Sequence, residues 1–216
     1  YIEIGNNFVG LSYDQSIHTV HSFYINIHNN VCVNDSTGSL NAGGIWLSYG
    51  TKHSKIYNNI VTCSTTVNSV ALAIVGGGAS YPPVDASYFP EGNSITNNIV
   101  TSAYNGIQVA GSDQVVSGNI VLSPTNSAII LSTYGTTNTD RVIVSNNIVK
   151  SPGASGITCS FQEVDVDNIT IADNIIQDAG SNGIAVTCIN STMTNLSILN
   201  NSVLDTLGSY GIVATS

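Results

Sequence analysis

The sequence predicts an all-β solenoid of about eight coils, and three observations support that prediction. An asparagine pair, or a near equivalent of it, recurs at eight places along the 216-residue chain. Two apolar columns keep a fixed offset from this pair, and a small residue followed by an aliphatic one recurs in every repeat. Short β-branched runs alternate apolar and polar residues, whereas helical periodicity is missing throughout the sequence.

The second residue of each pair serves as a marker of the repeat. The markers are Asn7, Asn30, Asn59, Asn98, Asn119, Asn147, Asn174 and Asn201, and they lie 21 to 39 residues apart. The residues three before and two after each marker are apolar in every copy, so stacking at about 4.8 Å would close a continuous core. We expect the asparagines to stack at one turn, because an amide both donates and accepts hydrogen bonds and Asn tolerates a left-handed backbone.

With these repeats the chain resembles the right-handed parallel β-helix superfamily. Its pectate-lyase-like fold is shared by polysaccharide lyases and hydrolases, mannuronan epimerases, phage tailspikes and many surface proteins. The resemblance covers the whole chain and implies a right-handed single-stranded parallel β-helix with uncapped ends. It is specific for the fold and not for an activity, because this fold carries very different functions.

One domain, residues 1–216, is predicted, with a long loop insertion at 76–91. The chain starts without Met in one strand-like segment and stops in another. We expect the rod to be the ordered part of a longer chain. The alternative is an end-to-end homopolymer in which open ends stack on neighbouring copies, and the resemblance to tailspikes adds a homotrimer.

The composition excludes some partners. Only 8% of residues are charged and the net charge is −9, which argues against nucleic acid and against anionic membrane surfaces. No apolar run is long enough for membrane insertion. The resemblance and the neutral polar surface together favour an extracellular, cell-surface or virion-surface location.

The four cysteines are predicted to be free thiols. Cys32 and Cys63, like Cys159 and Cys188, fall one coil apart and two residues along. That offset separates them by about 8 Å, beyond the limit of about 7 Å between Cα atoms of a disulfide. Free thiols fit folding in a reducing cytosol, as for a virion protein, better than oxidation on export.

The turn after the small-aliphatic segment carries the long insertion and is the predicted binding edge, because loops on one face of a repeat scaffold usually carry function. His18 and Trp46 share an outward column, which suggests an aromatic platform for sugar rings; the alternatives are packing against a partner chain and simple exposure. The predicted substrate-binding residues are Trp46, Tyr49, Tyr81, Tyr88, Tyr134, Phe161, Asp113 and Arg141. Asp113 and Arg141 stand at the same offset in adjacent coils and are predicted to form an ion pair.

Asp140 and Asp167 also share an offset in adjacent coils and are the predicted catalytic pair. Two like charges about 5 Å apart raise one pKa, as a general acid beside a base or nucleophile requires. Glycosidases use two carboxylates in this way. The residues Asn138-Thr139-Asp140 are similar to an element of polygalacturonase-like hydrolases, but the other elements of that family are absent.

No cofactor is required by the sequence, and calcium is the one metal that it suggests. Glu163, Asp165 and Asp167 alternate along an extended segment and could supply oxygen ligands to Ca²⁺. The alternative for these acidic residues, as for the catalytic pair, is a solvated turn.

The sequence therefore leaves two functions open. The first is a β-helix that binds, and in one version hydrolyses, a neutral or weakly charged polysaccharide along its loop edge. If it is an enzyme, a glycoside hydrolase fits better than a polyuronate lyase, because the edge has few cations to hold a polyanion. The second is a non-enzymatic fibre, filament or adhesin subunit.

Overall fold

The computed structural model describes residues 1–34, 43–76, 89–133, 139–208 and 210–215, which contain 24 β-strands. The strands form three sheets of eight, and each coil contributes one strand to every sheet. All pairings between neighbouring coils are parallel and join like positions of the repeat. The predicted parallel β-helix is confirmed.

The first sheet precedes the asparagine turn in each coil, the second follows it, and the third contains the small-aliphatic segment. The first sheet consists of β1 (Ile2–Gly5), β4 (Ile25–His28), β7 (Lys55–Tyr57), β10 (Ser94–Thr96), β13 (Val115–Ser117), β16 (Val142–Ser145), β19 (Val166–Ala172) and β22 (Met193–Leu199). The second consists of β2 (Phe8–Gly10), β5 (Val31–Asn34), β8 (Ile60–Cys63), β11 (Ile99–Ser102), β14 (Ile120–Leu122), β17 (Ile148–Lys150), β20 (Ile175–Gln177) and β23 (Ser202–Leu204). The third consists of β3 (Gln15–Val20), β6 (Gly43–Ser48), β9 (Val70–Val75), β12 (Asn105–Val109), β15 (Ile129–Ser132), β18 (Ile157–Gln162), β21 (Ile184–Ile189) and β24 (Ile212–Thr215).

The core runs along the axis of the rod between the three sheets. The two apolar columns recognised in the sequence point inward, and both are fully buried in the middle coils, as at Ile95 and Val100. The third sheet adds two more inward columns, represented by Ile107 and Val109. Alternation along each strand therefore sends every second residue into a core that is continuous from coil to coil.

The marker asparagines are hydrogen-bonded to each other along the rod. In each of seven successive pairs, the Nδ2 of one asparagine donates to the Oδ1 of the next at 2.9–3.0 Å, and its backbone N–H donates to the same oxygen. The markers of the six middle coils are at most 1% exposed. The sharp turn between the first and second sheets is thus buried, while its side-chain amides and backbone N–H groups keep hydrogen-bond partners.

The residue before each marker has a left-handed backbone, which explains why that position is so restricted. Its φ lies between 53° and 68° in all eight coils, where the residue is Asn, Asp or Gly. These are the residue types that adopt this conformation at the lowest cost.

The small-residue column marks the corner between the second and third sheets. A Cβ placed on Gly106 would lie 2.4 Å from the Ala128 oxygen of the next coil and 2.5 Å from a Val121 methyl. A Cβ placed on Gly44 or Gly183 would likewise lie 2.4 or 2.6 Å from a backbone oxygen of the next coil. The corner is too tight for a large side chain.

All four cysteines are free and buried, as predicted. The register pairs Cys63 with Asn34 and not with Cys32, and Cys188 with Phe161 and not with Cys159. Burial raises the pKa of Cys32 to about 11 and those of Cys63 and Cys159 to about 12. The thiols therefore act as small core side chains.

Candidate functional site

A groove with a volume of about 510 Å³ lies on the outer face of the third sheet and extends across the first five coils. Strands β3, β6, β9, β12 and β15 supply its walls, together with the turns beside them. Its lining is Asp14, Gln15, His18, Trp46, Ser48, Tyr49, Asn68, Val70, Val75, Gly76, Asn105, Gln108 and Ile130. Among its described residues, the groove therefore combines an aromatic wall with side-chain amides, hydroxyls and one carboxylate.

Trp46 is the central aromatic residue of the groove. Its indole Nε1 donates a hydrogen bond of 3.0 Å to the Val70 carbonyl oxygen, which ties the ring to the next coil. The ring fits against the backbone because Gly43 has no side chain, since a Cβ there would lie 2.2 Å from Nε1. The half-buried indole is thus held in one orientation before any ligand arrives.

His18 completes the platform from the preceding coil. It pairs in register with Trp46, as predicted, and the two rings meet edge to face with centroids 6.4 Å apart. His18 Nε2 is 2.9 Å from Ser48 Oγ, and this contact fixes the imidazole over the neighbouring strand. Burial lowers the pKa of His18, while the charge of Asp14 acts in the opposite direction.

The lowered pKa of His18 gives the protein an expected pH dependence. Between the folded pKa and the ordinary value of about 6.5, the unfolded chain binds more protons than the folded one, so stability rises with pH. The contribution of His18 is therefore complete above about pH 6.5 and is lost as the pH falls through the folded pKa. We expect the urea midpoint of the unmodified protein to fall more between pH 7.5 and 5 than that of His18→Gln. Parallel pH profiles for the two proteins would contradict this assignment.

The chemistry of the groove suits a neutral polyhydroxyl ligand. Aromatic rings pack against the apolar faces of sugar rings, and amide side chains both donate to and accept from hydroxyl groups. Gln108 lies in the same outward column as Trp46, with Ala73 between them. Asn105 borders the same groove from the start of β12.

The loop edge, defined as the turns that join the third sheet to the first sheet of the next coil, holds the other predicted residues. The guanidinium of Arg141 donates to both carboxylate oxygens of Asp113 at 2.6 and 2.7 Å. This pair, which was predicted from its register, is about half exposed and holds the pKa of Asp113 below its usual value. Exposed pairs of this kind contribute at most about 1 kcal/mol to stability.

Asp140 and Asp167 lie close together on the same edge, but each carboxylate accepts hydrogen bonds from strands of the first sheet. The Asp167 amide donates to Asp140 Oδ1 at 3.0 Å. The Asp167 carboxylate accepts from Thr194 Oγ1 at 2.5 Å and from Asn195 Nδ2 at 2.8 Å, and these bonds lower its pKa. Asp167 is therefore held as an anion, a state suited to a base or nucleophile and opposite to that of a general acid.

The three residues suggested for calcium do not converge. Among the described residues, no group of three or more acidic, histidine or cysteine side chains is placed to hold a metal ion. Asp165 Oδ1 instead accepts from the Thr192 amide of the next coil at 2.8 Å, and Glu163 has a left-handed backbone with φ of 60°. Asp140, Asp165 and Asp167 do line a shallow depression of about 300 Å³. The acidic side chains of this edge act mainly as acceptors that join one coil to the next.

The prediction that Phe161 binds ligand at the loop edge was wrong. The structure buries Phe161 completely in the core. The reason is that β18 continues to Gln162, so alternation turns Phe161 inward on the same face as Cys159 and beside Cys188. The predicted binding residues Tyr81, Tyr88 and Tyr134 lie outside the described residues.

Trp46 and Tyr49 are the predicted binding residues that the structure brings together in the groove, whereas Asp113 and Arg141 lie on the loop edge. The polar groove residues that were not predicted from the sequence are Asp14, Gln15, Ser48, Asn68, Asn105 and Gln108. For Gln108 a signal was available, because the outward column that relates His18 to Trp46 continues through it.

The fold is shared with solved structures of carbohydrate-active enzymes and an adhesin. The Streptococcus pneumoniae surface protein and adhesin PfbA matches with a TM-score of 0.59 and 15% identity, over 97% of this chain and 68% of that one. A polygalacturonase from Erwinia carotovora ssp. carotovora matches with a TM-score of 0.52 and 14% identity, over 94% and 56%. The catalytic domain of a GH87 alpha-1,3-glucanase in complex with tetrasaccharides matches with a TM-score of 0.51 and 14% identity, over 97% and 49%.

These similarities, at 14–15% identity, establish the fold alone, which is a right-handed parallel β-helix. The chain spans about half to two thirds of the length of the structures that it matches. No protein-family model and no curated protein matches the sequence. The described residues contain no helix that could cross a membrane.

Proposed function

We propose that this β-helix is an extracellular or surface-exposed carbohydrate-binding protein that holds a neutral glycan in the groove of the third sheet. The observation that carries the proposal is the preformed platform of Trp46 and His18, with the amide side chains of Asn105 and Gln108 along the same groove. Similar folds in carbohydrate-processing enzymes and in a surface adhesin support this class of function.

Charge favours a neutral ligand. The described lining contains Asp14 and no lysine or arginine, and the whole chain has a net charge of −9. A polyuronate would meet this field without cations to balance its carboxylates. A neutral sugar chain meets no such charge repulsion, and it gains aromatic contact and hydrogen bonds.

The dimensions of the groove favour an oligosaccharide over a single sugar. Its lining comes from five successive coils. Four intervals of about 4.8 Å give a length of about 19 Å along the rod. The glycan would therefore lie parallel to the rod axis, with Trp46 near one end of its path and Ile130 at the other.

The test exploits the fact that Trp46 is the only tryptophan of the chain. We expect neutral oligosaccharides to change the tryptophan emission on titration, whereas oligogalacturonate does not. Calorimetry should show that Trp46→Ala weakens binding about tenfold or more, the range found when a central aromatic contact is removed. Trp46→Phe, which keeps a ring, should lose less.

Two controls separate the groove from the rest of the rod. Gln108→Ala keeps the fluorophore and should weaken binding, whereas Thr187→Ala, an outward residue of β21 beyond the groove, should bind like the unmodified protein. Equal affinities for Trp46→Ala and the unmodified protein would refute the proposal, as would a failure of every neutral glycan to bind.

Hydrolysis by Asp140 and Asp167 stays a separate prediction. The lowered pKa of Asp167 is opposite to what a general acid needs, and both carboxylates accept hydrogen bonds from strands of the first sheet, which favours binding without cleavage. The same glycans should therefore be assayed for new reducing ends. Release of reducing ends that Asp140→Asn and Asp167→Asn both abolish would add hydrolysis to the binding function.

A further inference from the structure

Ser48 and His18 form a hydrogen-bonded pair in the wall of the groove. Ser48 Oγ lies 2.9 Å from His18 Nε2. This distance is within the reach of about 2.6–3.2 Å at which a base activates a serine nucleophile. When the imidazole carries its proton on Nδ1, Nε2 accepts the hydrogen bond from the Ser48 hydroxyl. The pair therefore has the geometry of a nucleophile and its general base.

His18 is kept in the protonation state that a base needs. Burial lowers the pKa of His18, so the imidazole is mainly neutral at pH 7. The charge of Asp14 acts on the same ring in the opposite direction, and Asp14 borders the groove together with His18 and Ser48. A carboxylate near the ring stabilises the imidazolium that forms when the base takes up a proton. Serine, histidine and aspartate, the residue types of a hydrolytic triad, thus line one groove.

The backbone holds Ser48 in place at the end of β6. Its carbonyl oxygen accepts hydrogen bonds from the His21 amide at 3.2 Å, the Thr51 amide at 3.3 Å and Thr51 Oγ1 at 2.9 Å. The chain then turns sharply, since Tyr49 and Gly50 both have left-handed backbones with φ of 50° and 79°. Ser48 is 1% exposed and borders the groove, so its hydroxyl is oriented before a ligand binds.

The surroundings of Ser48 suit a short acyl group. Val75 is the register partner of Ser48 in the next coil and lines the groove. Its side chain offers an apolar neighbour to the methyl group of an acetyl ester. Asn68 borders the same groove, and its side-chain amide is a donor of the type that stabilises an ester oxygen as it becomes negative. The groove thus offers both apolar and hydrogen-bonding partners to an uncharged ester.

We propose that Ser48 and His18 make this protein an esterase that removes short acyl groups, such as acetyl, from hydroxyls of the bound glycan. An O-acetyl group leaves a glycan neutral, which agrees with the absence of lysine and arginine from the described lining. The choice of substrate rests on the proposed glycan binding, whereas the reactivity of Ser48 does not. Asp140 and Asp167 take no part in this reaction, because they lie in the depression on the loop edge.

The reaction proceeds in two steps. Ser48 Oγ attacks the ester carbonyl carbon while His18 Nε2 takes the hydroxyl proton, and the bond to the sugar oxygen then breaks as that oxygen receives the same proton. The acyl group is now bound to Ser48. Water attacks this acyl-serine, His18 accepts a proton from the water, and the proton returns to Ser48 Oγ. One ester and one water thus give one carboxylic acid and one free sugar hydroxyl.

Phosphonylation tests the reactive pair without any glycan. A fluorophosphonate probe should label the folded protein, and mass spectrometry of its peptides should place the label on Ser48. Ser48→Ala should lose the label, and His18→Gln should react about a hundredfold more slowly or less, because its general base is missing. Ser160→Ala is the matched control, since Ser160 is also an outward serine of the third sheet but lies beyond the described lining. Absence of label from Ser48, or equal labelling of Ser48→Ala and Ser160→Ala, would overturn the inference.

Acetate release tests the substrate. We expect the protein to release acetate from O-acetylated gluco-, xylo- or manno-oligosaccharides. Ser48→Ala should lower that rate about a thousandfold or more, as loss of a serine nucleophile does, and should still show the change in tryptophan emission on binding. Binding of these esters without acetate release would overturn the esterase and leave glycan binding intact. Labelling of Ser48 without binding of any of these glycans would confirm the reactive pair and refute the glycan as its substrate.

The pH profile tests the part played by Asp14. Acetate release should fall at low pH as His18 becomes protonated. Because the charge of Asp14 raises the pKa of His18, Asp14→Asn should lower that pKa and move the acid limb of the profile to lower pH. Tyr49 is the remaining titratable residue of the described lining, and a phenol carries no charge at low pH. An acid limb that stays in place in Asp14→Asn would overturn the assignment of Asp14 to this site.

Discussion

Replacing Asn98 by alanine should lower the free energy of unfolding by about 3–5 kcal/mol, because several buried hydrogen bonds are lost together. Asn98 is fully buried. Its Oδ1 accepts from the backbone N–H and the Nδ2 of Asn59 at 2.9 and 3.0 Å. Its own Nδ2 donates to the Ile56 and Thr96 carbonyl oxygens and to Asn119 Oδ1 at 3.0 Å. Urea unfolding followed by circular dichroism measures the loss.

The preceding residue provides the control. Asn97 has a left-handed backbone with φ of 56°, and the equivalent position in the next coil is already glycine, at Gly118. Asn97→Gly should therefore change the free energy of unfolding by less than about 1 kcal/mol. If Asn98→Ala lowered the free energy of unfolding no more than Asn97→Gly does, the buried side-chain amides would not be a main source of stability between the coils.

Replacing Gly106 by valine should destabilise the protein by about 3 kcal/mol or more, or prevent folding, because the corner between the second and third sheets has no space for it. The first atom added would lie 2.4 Å from a backbone oxygen of the next coil. That oxygen belongs to Ala128 and cannot move without distorting the hydrogen-bonded sheet, since the Ala128 carbonyl accepts from the Ile107 amide at 2.8 Å. Thermal and urea unfolding both report the effect.

Gly118 is the matched glycine. A Cβ at Gly118 would also meet an oxygen at 2.4 Å, but this oxygen is the side-chain Oδ1 of Asn97, which can rotate away. Its backbone is left-handed, and Asn occupies the same position in six other coils. We therefore expect Gly118→Asn to fold and to cost less than about 1 kcal/mol. Equal damage from Gly106→Val and Gly118→Asn would contradict the assignment of the tight contact to the backbone.

The fold could be predicted from the sequence because, in a solenoid, the residues that contact each other recur at the same offset in every repeat. Residues at one offset from each marker meet in space, so the inward position of Ile95 and the pairing of Asp113 with Arg141 follow from counting. Counting from the markers does not show where a strand ends. Phe161 was predicted to lie in a turn, but β18 continues to Gln162, so alternation still directs Phe161 inward.

The groove could be predicted only in part. The platform of His18 and Trp46 follows from one outward column, but the concave shape depends on how the turns beside it fold over the sheet. Asn68 and Asn105 therefore carried no recognisable signal in the sequence.

The direction of the amide chain has a consequence for the rod as a whole. Every marker from Asn7 to Asn174 donates its Nδ2 toward the marker that follows it in the sequence, so the side-chain dipoles are aligned head to tail along the axis. Aligned dipoles polarise one another and strengthen the hydrogen bonds between them. Sheets carry only a small net dipole, which leaves the asparagines as a source of axial electrical polarity. The amide chain is thus electrically polar along the rod, with its donors directed toward the C-terminal coils and its acceptors toward the N-terminal coils.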